Sequence, residues 1–168
     1  MKTNDIEIDV TYKGSGARFT FTTGDNLEDA ILTFANDEAG FDNTEDFEEL
    51  TDLEELTYEV VDWGEVEDYE NLQDIDVLNE IAEERDLEDL DWDVISAAID
   101  CDIEISNIVE SYEGRYKDDE DFAYETALSF GFINNNKNWP HNCIDWEQAA
   151  RELMSDYTES NGYYFRNV

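Results

Sequence analysis

Ile6, Ile8, Val10 and Tyr12 alternate with Glu7, Asp9 and Thr11, the two-residue period of a strand with one buried and one wet face. Gly14, Ser15 and Gly16 supply a turn, and Arg18 to Thr22 return as a second strand, so residues 5 to 23 are expected to form a hairpin. Asp25 then stands as an N-cap with Glu28 at the capping-box position, and Leu27, Ala30, Ile31, Phe34 and Ala35 follow at helical spacing. Residues 36 to 55 are so rich in carboxylates that an exposed loop with one short helix is expected. Leu56, Tyr58 and Val60 alternate as a third strand, and Trp63 with Gly64 marks a boundary.

Beyond that boundary the period becomes helical. Asp74 can cap a helix that buries Ile75, Leu78, Ile81 and Ala82 while Asp76, Glu80, Glu83 and Glu84 face water. Asp91 can cap another running through Trp92, Ile95 and Ala98 or Ile99, so residues 65 to 102 are expected to form a compact helical module. Asp118, Asp119, Glu120 and Asp121 fall in or just before the first turn of a further helix, where negative charge suits the helix dipole. Phe122, Ala123, Ala127 and Phe130 form its apolar stripe, and Gly131 can close it in the left-handed conformation. A loop over 133 to 143, around Asn134 to Asn136 and Pro140, leads to Trp146, Ala149, Ala150, Leu153, Met154 and Tyr157, a strongly amphipathic helical pattern. Asn161 and Gly162 signal a turn, and Tyr163 to Arg166 a closing strand. The expected fold class is α+β, in three small modules over 1–62 (antiparallel sheet with one helix), 63–102 (helical) and 103–168 (α+β), packed as one elongated unit.

Charge changes what this scaffold is for. Of 168 residues, 47 are Asp or Glu and nine are Lys or Arg, a formal net charge of −38, yet 40% of the chain is hydrophobic and four Trp, nine Tyr and nine Phe are available for a core. A chain this charged without aromatics would be disordered; with them it can fold, at the cost of repelling itself. Nucleic acid and anionic membrane surfaces both reward Lys and Arg, so direct binding to either is excluded. No apolar run approaches a membrane span, and the opening MKTNDIEIDVTY has no signal-peptide pattern, so a cytoplasmic protein is expected. The 38 net charges equal those on about 65 Å of duplex DNA.

The catalytic and metal motifs fail in turn. Calcium loops starting at Asp42 or Asp100 have Phe47 or Ile105 where an EF-hand needs glycine. His141 and Cys143 make half a zinc site, and Cys101 and Cys143 match no paired metal spacing, so two reduced, partly buried thiols are expected and a disulfide is not. With so many acids, paired carboxylates at glycosidase spacing occur by chance. Neither P-loop, GxGxxG, HExxH nor GxSxG is present, so no enzymatic activity, cofactor or metal is expected.

The charged surface is therefore the functional candidate. Carboxylates four residues apart on a helix advance about 6 Å, close to two steps of the roughly 3.4 Å repeat along one DNA strand. Glu48 with Asp52, Glu80 with Glu84, Asp121 with Glu125 and Glu152 with Asp156 have that spacing, although like charges so placed destabilise a helix.

The segments Tyr58–Glu83 (YEVVDWGEVEDYENLQDIDVLNEIAE), Ser111–Glu125 (SYEGRYKDDEDFAYE) and, most clearly, Cys143–Val168 (CIDWEQAARELMSDYTESNGYYFRNV) resemble the ArdA family of antirestriction proteins, carried by plasmids, transposons and phages. The likeness implies three modules in line, a homodimer, and mimicry of bent B-DNA that occupies the DNA groove of type I restriction-modification enzymes, on their specificity and methyltransferase subunits, in a bacterial cytoplasm. The partner-facing carboxylates expected on that basis are Glu7 and Asp9; Asp37, Glu38, Asp42, Glu45, Asp46, Glu48, Glu49 and Asp52; Asp118, Asp119, Glu120, Asp121 and Glu125; and Asp145, Glu147, Glu152 and Asp156. The competing readings are a mimic aimed at a CRISPR effector, nucleoid protein or nuclease, and an acidic halophilic protein whose charge serves hydration.

Overall fold

The computed structural model describes residues 2–12, 15–36, 56–134 and 141–167. The chain divides into two compact units, Met1–Asp89 and Leu90–Val168. The break falls inside the segment expected to be a central helical module, so its helices belong to different units. The fold class is α+β, with two three-stranded antiparallel sheets and six α-helices among the described residues.

In the first unit β1 (Asp5–Tyr12), β2 (Ser15–Thr22) and β3 (Leu56–Asp62) form a sheet ordered β2-β1-β3. Ile6 pairs across from Phe21, and Ile8 from Phe19 on one side and Val60 on the other. Ile6, Ile8 and Val10 are completely buried, so the alternating pattern sets the core face as expected. Helix α1 (Leu27–Asn36) follows β2; its Ile31 is buried and its Phe34 stacks on Phe19 with ring centroids 4.7 Å apart. Its cap is Asn26, whose Oδ1 accepts the Asp29 N–H at 2.9 Å. The expected cap, Asp25, instead bridges Thr23. Asn and Asp cap equally well, so spacing alone could not choose between neighbours.

After β3, 3-10 turns at Gly64–Val66 and Glu70–Leu72 lead to α2 (Ile75–Glu83) and a further turn at Arg85–Leu87. Val66, Leu72, Leu78, Ile81, Ala82 and Leu87 are buried. The Asp74 carboxylate caps α2, accepting the Asp76 and Val77 N–H groups at 2.9 and 3.2 Å. Asn4, itself buried, ties the sheet to this stretch: it donates to the Trp63 carbonyl at 2.7 Å and accepts the Glu65 N–H at 2.9 Å.

The second unit begins with α3 (Trp92–Asp100), which buries Trp92, Val94, Ile95, Ala97 and Ala98. Asp91 holds the cap position, but only its backbone carbonyl serves α3; its side chain makes no capping bond. A 3-10 turn at Ile105–Asn107 runs into α4 (Ile108–Ser111), then β4 (Tyr112–Arg115) and α5 (Asp119–Ser129). A turn at His141–Cys143 precedes α6 (Trp146–Leu153), β5 (Tyr157–Ser160) and β6 (Tyr163–Arg166), and the sheet is ordered β4-β6-β5. Phe122 centres an aromatic cluster with Tyr164, Tyr116 and Tyr157, at centroid distances of 4.5, 4.9 and 5.0 Å.

Two expectations change here. Tyr157 belongs to β5 rather than to the preceding helix, which ends at Leu153. Asn161 and Gly162, with φ of 55° and 84°, make the left-handed pair of a tight hairpin turn, and that turn requires a paired strand before it as well as after. Phe130 is 65% exposed and so leaves the apolar stripe of α5. As the residue just before Gly131 it lies beyond the last helical turn, where Gly131 (φ 72°) donates to the Leu128 carbonyl and Phe132 to that of Ala127. Among the described residues no helix is long and apolar enough to cross a membrane.

Candidate interaction surface

The elements put carboxylates on the faces opposite their buried residues. On β1 the wet positions are Glu7 and Asp9; on α2, Asp76, Glu80 and Glu83 are exposed opposite Leu78, Ile81 and Ala82. On α3, Asp93 and Asp100 are exposed while Val94, Ile95 and Ala98 are buried. Negative charge is thus displayed at positions fixed by a packed core.

Not all of it is uncompensated. Asp9 pairs in register with Arg18 on β2, whose guanidinium meets both carboxylate oxygens at 2.6 and 2.9 Å and reaches Glu7 at 3.3 Å. The hydrogen bond from Arg18 holds the Asp9 carboxyl below its usual range. Asp118 caps α5 by accepting the Asp121 N–H at 3.0 Å and pairs with Lys117 at 2.9 Å; the first and then the second lower its pKa. Asp119 accepts a 2.7 Å hydrogen bond from the Tyr164 hydroxyl, which burial and then Asp119 hold in its protonated form well above the ordinary range. Asp121 accepts the Lys117 N–H at 3.2 Å, and Glu120 and Glu125 are exposed on α5. Asp145 caps α6 through the Gln148 N–H at 3.1 Å, Glu147 pairs with Arg151 one turn on, and Glu152 accepts from the Gln148 amide at 3.0 Å. Asp37, Glu38, Asp42, Glu45, Asp46, Glu48, Glu49 and Asp52 lie outside the described residues.

Of the four pairs expected at four-residue spacing, one lies on a single helix among the described residues. Asp121 and Glu125 both lie on α5, whereas Glu84 follows the end of α2 in extended backbone and Asp156 lies beyond the end of α6. Glu48 and Asp52 lie outside the described residues. Helices α2 and α6 end before the second carboxylate of their pair, so those two pairs do not lie on one helix.

Cys101 is half-buried, and burial pushes its thiol pKa up; Cys143 is exposed rather than partly buried, and both are free. Among the described residues no group of three or more His, Cys, Asp and Glu side chains is placed to hold a metal. Asp25 and Glu28, expected only as the capping pair of a helix, line a cleft in the first unit with Asp76 and Glu83. What could have marked them is their place at the start of a helix beside exposed aromatic strand residues. No protein-family model matches the chain, and neither a curated protein nor a solved structure matches it.

Proposed function

We propose that this protein is a DNA mimic that blocks a DNA-binding enzyme by occupying its DNA channel, with type I restriction-modification enzymes as the target. The observation that carries the reading is a net charge of −38 on a chain whose described elements carry carboxylates on the faces opposite their buried residues. Such an array substitutes for phosphates against channel Lys and Arg, releasing counterions and excluding the duplex. The choice of type I enzymes comes from the ArdA-like segments. A homodimer would carry about −76 and match near 38 base pairs of duplex, the extended site of a bipartite enzyme.

The test is competition. A type I methyltransferase is titrated with this protein against labelled duplex at rising salt. Mutual exclusion with DNA and an affinity that falls steeply with salt are expected. Simultaneous binding of DNA, or a salt-independent affinity, would remove the mimic.

A further inference from the structure

In the first unit a cleft of about 760 Å³ is lined by β3 and by the beginnings of α1 and α2. Tyr58 and Val60 pair across from Val10 and Ile8, which are fully buried, so both belong to the core face of the sheet. Yet Tyr58 is 51% exposed, and with Val60, Trp63 and Ile75 it gives the cleft an aromatic and aliphatic wall. A 2.7 Å hydrogen bond from the Gly24 N–H to Asn79 Oδ1 joins its two sides.

Asp25, Glu28, Asp76 and Glu83 line the same cleft, and no Lys or Arg is among its described lining residues. None of these four forms an ion pair among the described residues, in contrast to Glu7, Asp9, Asp118 and Glu147. Two helix N-termini meet the cleft, and side-chain caps already take some of their donors: Asn26 accepts the Asp29 N–H, and Asp74 those of Asp76 and Val77. An anion would find little to bind and much to repel it.

We propose that this cleft binds arginine side chains presented by a basic segment of a protein partner. Aromatic walls alone would suit a neutral ligand, and carboxylates alone would suit any cation. The combination selects a cation with flat, weakly hydrated faces, which describes guanidinium better than ammonium. The inference rests on the proposed function for the source of the arginine, since channels that grip phosphates are lined with it.

An acetylated and amidated Gly-Arg-Gly-Arg-Gly peptide, titrated into the full chain at physiological salt and followed by amide NMR, tests it. Saturable shifts at the Trp63 indole and the Gly24 and Asn79 amides are expected, with weaker binding of the lysine counterpart. Tyr58→Ala should weaken the arginine peptide about two- to fivefold. Asp76→Asn with Glu83→Gln should weaken it further and guards against misfolding of the first variant. Non-saturating shifts spread over every acidic face, an unchanged affinity in Tyr58→Ala, or equal binding of the lysine peptide would each overturn the site. If the peptide docks but the methyltransferase does not bind, the cleft stands and channel occlusion falls. If the methyltransferase binds wild type and Tyr58→Ala equally and the peptide does not saturate, the cleft falls and occlusion stands.

Discussion

Asp74 and Asp91 each stand one residue before a helix, and they differ in what their carboxylates do. Asp74 accepts two of the free N–H groups of α2, while the Asp91 side chain accepts none from α3. Asp74→Ala is therefore expected to cost about 1 kcal/mol, and Asp91→Ala less than about 0.5 kcal/mol, in urea unfolding of the whole chain. Asp118 carries a second, pH-dependent effect. Its pKa is lowered from 3.8 by the Asp121 N–H and then by Lys117. A carboxyl depressed by folding stabilises the folded state above its unfolded value, and that contribution is lost as pH falls through the folded value. The stability of wild type relative to Asp118→Asn should therefore hold steady above the ordinary carboxyl range and decline as the pH falls through and below it. Chemical denaturation of the pair across that range measures it; a wild type that gains on the variant as the pH drops would contradict the assignment.

At the scale of elements, two glycines with similar backbone angles separate strain from collision. Gly131, at φ 72°, closes α5, and a Cβ there would meet nothing within 4 Å among the described residues. Gly131→Ala should cost only the left-handed strain, about 1 kcal/mol. Gly64, at φ 63°, would place a Cβ 2.2 Å from the Asp5 carbonyl oxygen, so Gly64→Ala should cost well above about 2 kcal/mol. Melting both variants checks the order. Gly131 is also an element end that was legible in advance, as were the Asp74 cap, the β1–β2 hairpin and the Asn161-Gly162 turn, because each rests on contacts within a few residues. The end of α6 was less legible, since Tyr157 continues the helical period while the hairpin turn claims it for β5. The site divides in the same way. The acidity of Asp9 is visible in the sequence, but its neutralisation depends on the register that sets Arg18 opposite it. The exposed core-face Tyr58 depends on what the helices leave uncovered, which no local pattern encodes.

Over the whole molecule, the charge should oppose folding and favour binding, and salt should pull these apart. At about 0.01 M ionic strength the screening length is roughly 30 Å, so carboxylates on different elements repel one another; at about 1 M it is roughly 3 Å, and only contacts remain. The melting temperature should therefore rise with sodium chloride, while affinity for a DNA-binding partner falls over the same range. Glu80, Glu120 and Glu125 are exposed and make no ion pair among the described residues, so they isolate this trade. Replacing Glu80 or Glu125 by Gln should stabilise the fold by a few tenths of a kcal/mol, since a like-charge repulsion is removed and no partner is lost. Glu120→Gln should gain less, because Glu120 stands in the first turn of α5 where its charge suits the helix dipole. Each single change should alter partner affinity little, because the binding energy is spread over many carboxylates, and the triple variant should lose affinity roughly as the product of the three. Calorimetry and competition binding on the same four proteins read both quantities. Charge kept for hydration alone would let the triple variant gain stability at low salt with no loss of binding, because no partner would be counting those carboxylates. Charge kept as a copy of a phosphate backbone requires the two to move in opposite directions.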